Sequence, residues 1–467
     1  MRIPAILQTI AQDLLSQDAQ AIVVGGAVRD HFLSLAAKDY DIEVFGLDSL
    51  KALESTLSKY GSVNLVGKHF GVLKLTHEGE VYDFSLPRRE SKSGRRHQDF
   101  DVTVDGEMCF EEAASRRDFS CNAMGFVLGT KSWLDPFGGK KDIEAGILRH
   151  THSHTFVEDP LRVYRAVQFA ARFGWDIAEE TMQLCRQMVS EGMLDALPKE
   201  RVYLEWQKLL LKAPRPSQGF VLMRELGIIA DCFPELHALI DTPQSPQWHP
   251  EGDVWTHTMM ALDKMAQHCR TTQQQSLDEK QTLKLLLAIL CHDLGKASTT
   301  TIEADGRIRS IGHEKAGLAP SRSLLYRLTD EHDFIASLLP LVEHHLKPSQ
   351  FYTQGAKSAA IRRLATRVNI EELVLVANAD FLGRSTPEAV SGTYPAGAWL
   401  LEKARSLSVS TSAPKPLVQG RDLIQAGLQP SPKFKILLEI LYQMQLEGII
   451  TDRQSGISQL LKLIKDE

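Results

Sequence analysis

Two hydrophobic periods divide this chain, and the point where one replaces the other constrains the fold more than any other feature. Up to about Phe137, short runs at residues 21–24, 40–45, 63–66, 71–76 and 81–86 are β-rich and are separated by turn residues and a few helical segments. After Asp135-Pro136-Phe137-Gly138-Gly139, long segments of 3.6-residue spacing with Arg and Glu on the polar face take over, and strand signals nearly vanish. Strands and helices segregated along a chain predict an α+β protein, an N-terminal sheet domain followed by mostly α-helical domains. At 467 residues the chain also exceeds what one hydrophobic core holds. Turn residues in Asp241-Thr242-Pro243-Gln244-Ser245-Pro246 and the Ser/Pro stretch 406–416 suggest four domains, 1–140, 141–240, 241–405 and 406–467.

Composition removes several function classes. A hydrophobic fraction of 43% against 24% charged residues excludes disorder as the default state. The six cysteines lie far apart with no C-x-x-C pair, which fits reduced thiols in a cytoplasmic protein better than a disulfide frame. No run approaches the ~18 apolar residues of a membrane span, and residues 1–12 lack the pattern of a secretion signal, so no membrane partner is expected. A net charge of −6 argues against a uniformly basic nucleic-acid binder, so any RNA contact must come from local patches.

The first chemical constellation lies in the sheet domain. Strand 21–24 runs into Gly25-Gly26, which lets the backbone turn tightly and approach phosphates at the start of a helix. In Asp39-Tyr40-Asp41, read as part of the next strand, the period of two puts both carboxylates on one face. Two carboxylates so placed suit a pair of Mg²⁺ ions that activate an attacking 3′-hydroxyl and steady a leaving pyrophosphate, which is nucleotidyl transfer. Each element alone also fits a plain Gly-rich turn or a polar strand face. Asp83, on a later strand, offers a third carboxylate or an exposed alternation residue.

Taken in series, Gly25-Gly26-Ala27-Val28-Arg29-Asp30, Asp39-Tyr40-Asp41, Arg116-Arg117-Asp118-Phe119-Ser120-Cys121-Asn122-Ala123 and Glu158-Asp159-Pro160-Leu161-Arg162 resemble the class II tRNA nucleotidyltransferases in order and spacing. The resemblance covers residues 20–210, and bacterial poly(A) polymerases share most of these motifs. It implies a catalytic head in 1–140, a helical neck in 141–240, tRNA as partner and CTP and ATP as substrates. Asp39 and Asp41 would be catalytic. Gly25, Gly26, Arg29, Arg117, Asp118, Asn122, Asp159, Arg162 and Arg165 would bind the nucleotide, with Asp118 and Asn122 at the ribose and Arg117 near the triphosphate. Ser120 and Cys121 depart from the Thr and the more apolar residue usual in that family.

Asp159 and Arg162, three apart, are expected on one helix face, where a carboxylate acceptor and a guanidinium donor match the edge shared by cytosine and adenine. Uracil and guanine present a carbonyl where the amine would be. Asp159 before Pro160 also reads as a helix cap. The basic stretch from Arg88 to His97 is expected to be a mobile loop, and the resemblance implies that such a loop serves the change from C to A addition.

The second constellation is His257, then His292-Asp293 closing an apolar helix, then Asp380, which resembles the ligand series of HD phosphohydrolases within 241–405. Imidazoles with carboxylates suit a divalent transition metal or Mg²⁺. His313 and the His344-His345 doublet supply further groups, with His344 carried as a candidate ligand. The resemblance links such a domain to phosphatase, 2′-nucleotidase and 2′,3′-cyclic phosphodiesterase activity. Three other readings compete: a poly(A) or A-adding enzyme, an HD phosphohydrolase with a regulatory RNA-binding N-terminal half, and a non-enzymatic RNA-binding protein. Two complete ligand sets argue against the last two.

Overall fold

The computed structural model describes residues 1–37, 39–66, 71–92, 100–271 and 277–465, with side chains described outside 89–92 and 100–103. The chain divides into two compact units, residues 1–205 with 225–227, and residues 206–224 with 228–467. Among the described residues no helix is long and apolar enough to cross a membrane.

The first unit is built on β1 (Gln20–Val24), β2 (Asp41–Phe45), β3 (Ser62–Val66), β4 (Val72–His77), β5 (Glu80–Ser85), β6 (Arg88–Lys92), β7 (Phe100–Val104), β8 (Gly125–Val127) and β9 (Trp133–Leu134). Seven of them form one sheet in the order β3-β4-β5-β2-β1-β8-β9. The pairs are antiparallel except β2 with β5, which run parallel and set Asp41 beside Asp83. β1 and β2 are buried at every residue after their first. Both faces of these central strands are covered, which is why β1 reads as a continuous apolar run, while β2 buries Glu43 among its apolar residues. Ile22, Val24, Phe45, Met108, Ala113 and Val127 form part of the core on one face.

Two expectations are corrected here. β2 begins at Asp41, so Asp39 lies in the exposed coil before it and does not share a strand face with Asp41. Arg88–Lys92 is not loop: it pairs antiparallel with Phe100–Val104, which satisfies its backbone groups in a ladder. The rest of the expected mobile loop, residues 93–97, lies outside the described residues.

The second unit is helical, as the change of period predicts. Its central helix, Glu279–Cys291, opens with a capping box between Asp278 and Gln281 and is buried at Leu283 and from Leu285 to Cys291. A helix apolar on all sides can only sit inside, and it delivers His292 and Asp293 to the interior. Val254–Thr271, His332–His344 and Ile370–Leu382 pack against it. The C-terminal helices Gly420–Gln425, Lys433–Glu447 and Arg453–Lys465 close over their own cluster of Val418, Leu423, Leu437, Leu441, Ile450 and Leu460.

Candidate functional sites

In the first unit the turn between β1 and the helix Gly26–Phe32 places Gly25 at φ +70°, a left-handed conformation that favours glycine. A Cβ there would lie 3.2 Å from Arg117 Nη1 and 3.7 Å from Asp41 Oδ2, so the missing side chain is what keeps the centre open. Asp41 stands at the head of β2. Burial raises its carboxyl pKa, Arg117 lowers it, and the neighbouring charges of Asp83 and Asp39 raise it again. Asp83 is held by Lys74 of β4, whose Nζ lies 2.8 Å from both its oxygens.

Asp118 is the hub. Its Oδ1 accepts from the Phe119 N–H at 2.8 Å and from Asn122 Nδ2 at 3.0 Å, and its Oδ2 accepts from Arg165 Nε at 2.8 Å and Nη2 at 2.5 Å. Burial pushes this carboxyl up, but the Arg165 charge and the Asn122 bond outweigh it and hold the pKa below the usual range. Asn122 Oδ1 in turn accepts from Arg29 Nη1 at 2.7 Å, and Arg29 forks onto Asp30 while lying over Phe169 and Phe173.

The expected placing of Asp159 and Arg162 on one helix face is not what the fold makes. The Asp159 carboxylate is bound by Arg201, with Nη2 at 2.9 Å from Oδ2. Arg162 donates instead to the carbonyls of Thr155 at 2.8 Å and Arg116 at 2.5 Å. Asp159 precedes the helix Leu161–Phe173, whose N-cap is Pro160, and its side chain accepts the Leu161 N–H two residues on at 3.2 Å, an Asx-type turn.

All nine expected nucleotide-binding residues nevertheless line one cavity of about 470 Å³, together with Asp41 and Arg201. Asp39 and Asp83 stand outside its lining. Arg201 had no role assigned from sequence. Its signal is the segment Glu200-Arg201-Val202-x-x-Glu205, inside the stretch 20–210 that carries the resemblance, and Glu205 lies 3.8 Å from Arg165.

The second unit gathers His257, His292, Asp293, His313, His345 and Asp380, all buried. His257 Nε2 lies 3.1 Å from Asp380 Oδ1, His292 Nε2 3.2 Å from Asp293 Oδ2, and His313 Nε2 3.3 Å from both Asp293 Oδ1 and His345 Nε2. The Nδ1 atoms of His292, His313 and His345 meet the carbonyls of Ile289, Ser310 and Val342 at 2.6, 2.7 and 2.7 Å. Carbonyls only accept, so these Nδ1 atoms carry the protons and every Nε2 turns inward.

These Nε2 atoms thus converge with two carboxylates. His292 Nε2 and both Asp293 oxygens are buried without a properly directed hydrogen bond. Lys296 offsets part of the carboxylate charge, and the set of imidazoles and carboxylates gathered here suits a divalent metal. Three overlapping triads have ligand atoms within 4.8 Å of one another: His249-Glu251-His257, His257-His292-Asp293 and Asp293-His313-His345.

Charge here is strongly biased. Asp293 and Asp380 resist burial's upward push and are held well below the usual carboxylate range, chiefly by His292 and Arg384 respectively. Burial pushes His345 down to about 3, helped by the charges of His292 and His313. Lys296 Nζ lies 2.7 Å from Asp293 and Arg384 Nη2 3.2 Å from Asp380.

His345, not His344, joins the cluster. Adjacent helical residues point about 100° apart, so only one member of the doublet can face inward. His344 is buried with its Nδ1 unpartnered and belongs to none of the triads. Sequence reasoning also missed Glu251. Its Oε1 accepts from His257 Nδ1 at 2.8 Å and His249 Nδ1 at 3.0 Å, and its Oε2 accepts from the Ser385 N–H at 3.0 Å. Gly295 explains how His313 arrives, because a Cβ at Gly295 would lie 2.0 Å from the His313 carbonyl.

Comparison with known proteins matches three stretches of the chain to family models. Residues 21–149 match the poly(A) polymerase head domain, residues 174–240 the probable RNA and SrmB-binding site of polymerase A, and residues 254–384 the HD domain. The multifunctional CCA protein of Neisseria meningitidis serogroup C is 40% identical over 311 residues, 66% of this chain and 68% of the relative. That of Laribacter hongkongensis is 36% identical over 381 residues, 80% and 87%. Among solved structures, the Bacillus stearothermophilus CCA-adding enzyme in complex with CTP aligns with TM-score 0.66 at 20% identity over 100% of this chain and 99% of that one. The Thermotoga maritima CCA-adding enzyme complexed with tRNA aligns with TM-score 0.62 at 18% identity over 99% and 97%.

Proposed function

The chain belongs to the multifunctional CCA proteins, and on that premise we propose a division of labour between its two sites. The protein is a tRNA nucleotidyltransferase that adds C, C and A to the tRNA 3′ end from CTP and ATP without a nucleic-acid template. Its tRNA, CTP and ATP substrates support a cytoplasmic location. The catalytic head is assigned to residues 1–140, the neck to 141–240, the HD domain to 241–405 and the helical tail to 406–467.

The observation that carries the head assignment is the single cavity joining Gly25, Asp41, Arg117, Asp118, Asn122 and Arg165. The turn at Gly25 and the Arg117 guanidinium receive the triphosphate, because backbone N–H groups at a helix start and a forked cation both suit phosphate. Asp118 and Asn122, locked by Arg165 and Arg29, present fixed acceptors and donors to the ribose hydroxyls. Asp41 with Asp39 would hold Mg²⁺, which when bound lowers the barrier to attack by the 3′-hydroxyl and neutralises the pyrophosphate. The mutual repulsion of Asp39, Asp41 and Asp83 supports a cation there. Asp159, oriented by Arg201, accepts the exocyclic amine of cytosine or adenine, and a donor of Arg162 not spent on carbonyls meets the ring nitrogen. The test supplies tRNA lacking its last three nucleotides with CTP, ATP or both and sequences the products, with UTP and GTP as controls. Long A tails, or A without C, would favour the poly(A) or A-adding alternative.

The imidazoles and carboxylates gathered around Asp293 support the second assignment, a metal-dependent phosphohydrolase. His257, His292, Asp293 and Asp380, with His313 and His345, would hold a divalent metal that activates water for attack on phosphate esters such as damaged RNA ends. Glu251 fixes the ring of His257 so that Nε2 faces the ligand set. Lys296 and Arg384 supply cations for the ester's charged oxygens.

A further inference from the structure

The geometry points to Trp248 as the surface that receives the nucleobase of the hydrolase substrate, so that the HD cavity selects nucleotides over other phosphate esters. The inference rests on the phosphohydrolase reading of that cavity and adds a specificity residue to it.

Trp248 lines the same cavity, of about 220 Å³, as Asp293, His313, Lys296 and Arg384. Exposure runs steeply along it: Asp293 is 1% exposed, Lys296 8% and Trp248 57%. The charged end is therefore the deep end, and the indole stands at the mouth. An indole left this open to water is costly for a side chain that usually packs, and it stands apart from the other cavity-lining residues in being large, flat and apolar.

The turn that carries it is rigid. The N–H groups of Trp248 and His249 both donate to the Ser245 carbonyl, at 3.0 and 2.9 Å. His249 Nδ1 is tied at 3.0 Å to Glu251, whose side chain is 2% exposed and also holds His257. The backbone that carries the indole is thus anchored, through its neighbour His249, by the same carboxylate that orients a metal-ligand candidate. A nucleotide has matching polarity, with a charged phosphate at one end and a flat π-face at the other. Lys296 and Arg384 meet the first and Trp248 the second, and stacking of this kind tolerates any base.

The experiment uses the full-length protein with added Mn²⁺ and follows phosphate release from adenosine 2′-monophosphate and from glycerol 2-phosphate, a secondary ester with no ring. Trp248→Ala should raise KM for adenosine 2′-monophosphate about tenfold or more, the scale of one lost base–aromatic stack, with kcat little changed. Its kinetics on glycerol 2-phosphate and its CCA addition should match the unsubstituted protein, and Trp248→Phe should restore most of the nucleotide KM. Equal changes on both esters, or none on either, overturn the stacking role while leaving the hydrolase intact. Loss of tRNA affinity in CCA addition overturns it in favour of an RNA contact. Hydrolysis of neither ester by the unsubstituted protein overturns the hydrolase reading and this inference with it.

Discussion

Replacing Asp118 by Ala should damage stability and nucleotide use together, because this carboxylate closes a buried polar network of the head. It is 7% exposed and accepts four hydrogen bonds, two of them from Arg165. Removing one member of a buried ion pair costs about 3–5 kcal/mol. The lower end applies, since the Arg165 side chain is 30% exposed and keeps Glu205 at 3.8 Å. About 3 kcal/mol corresponds to roughly 6–12 °C in the melting temperature of a unit this size. Arg165→Ala should cost a similar amount, and the double variant should fall short of the sum by about 2 kcal/mol, the coupling of residues in direct contact. The pKa of Asp118 is held below its unfolded value near ~3.9. Its ionised form therefore contributes in full above about pH 5, and the contribution is lost as pH falls through the lower native value, so the gap between Asp118→Ala and the unsubstituted protein should close in acid. Thermal melts from pH 3 to 7, with KM for CTP and ATP on the same samples, measure all of this. Strict additivity, or an unchanged KM, would refute the reasoning.

Further outcomes follow from the same geometry. Arg162→Ala should weaken C and A incorporation and relax discrimination against U and G, a charge-assisted contact being worth about 1–3 kcal/mol; product sequencing with all four triphosphates checks it. Arg201→Ala should shift discrimination in the same direction, since it frees the Asp159 carboxylate; unchanged fidelity would leave Arg201 a purely structural residue. Glu251→Gln should lower metal affinity in the HD site by about tenfold or more, read by metal titration, while Glu251→Ala does more.

Local signals in the sequence carried β1 to β5 and the apolar helix before His292, because their periods and flanking turns are determined within a few residues. The nine positions expected to bind nucleotide meet in one cavity because the motifs fall on the turn and helix after β1, on the segment around Asp118, and at the start of the helix Leu161–Phe173 with the residues just before it. What could not be read was the pairing across distance. Asp159 and Arg201 are 42 residues apart, and nothing local distinguishes that ion pair from one with Arg162. The start of β2 was misplaced because Asp39 continues the alternation that Asp41 begins, although only Asp41 enters the ladder. In His344-His345 composition is silent and helical phase decides. Glu251, in a turn before Val254–Thr271, carries no periodic signal, and its role appears only when Ser385 and His257 close around it.

The central claim is that two independent sites perform two chemistries in one chain. The most direct measurement takes Asp41→Ala and Asp293→Ala in the full-length protein and assays both CCA addition and metal-dependent phosphate-ester hydrolysis on each. The account predicts a crossed pattern: Asp41→Ala abolishes incorporation and hydrolyses normally, while Asp293→Ala adds CCA and no longer hydrolyses. Loss of both activities in either variant, with a lowered melting temperature, would show a shared or structural site and contradict the account.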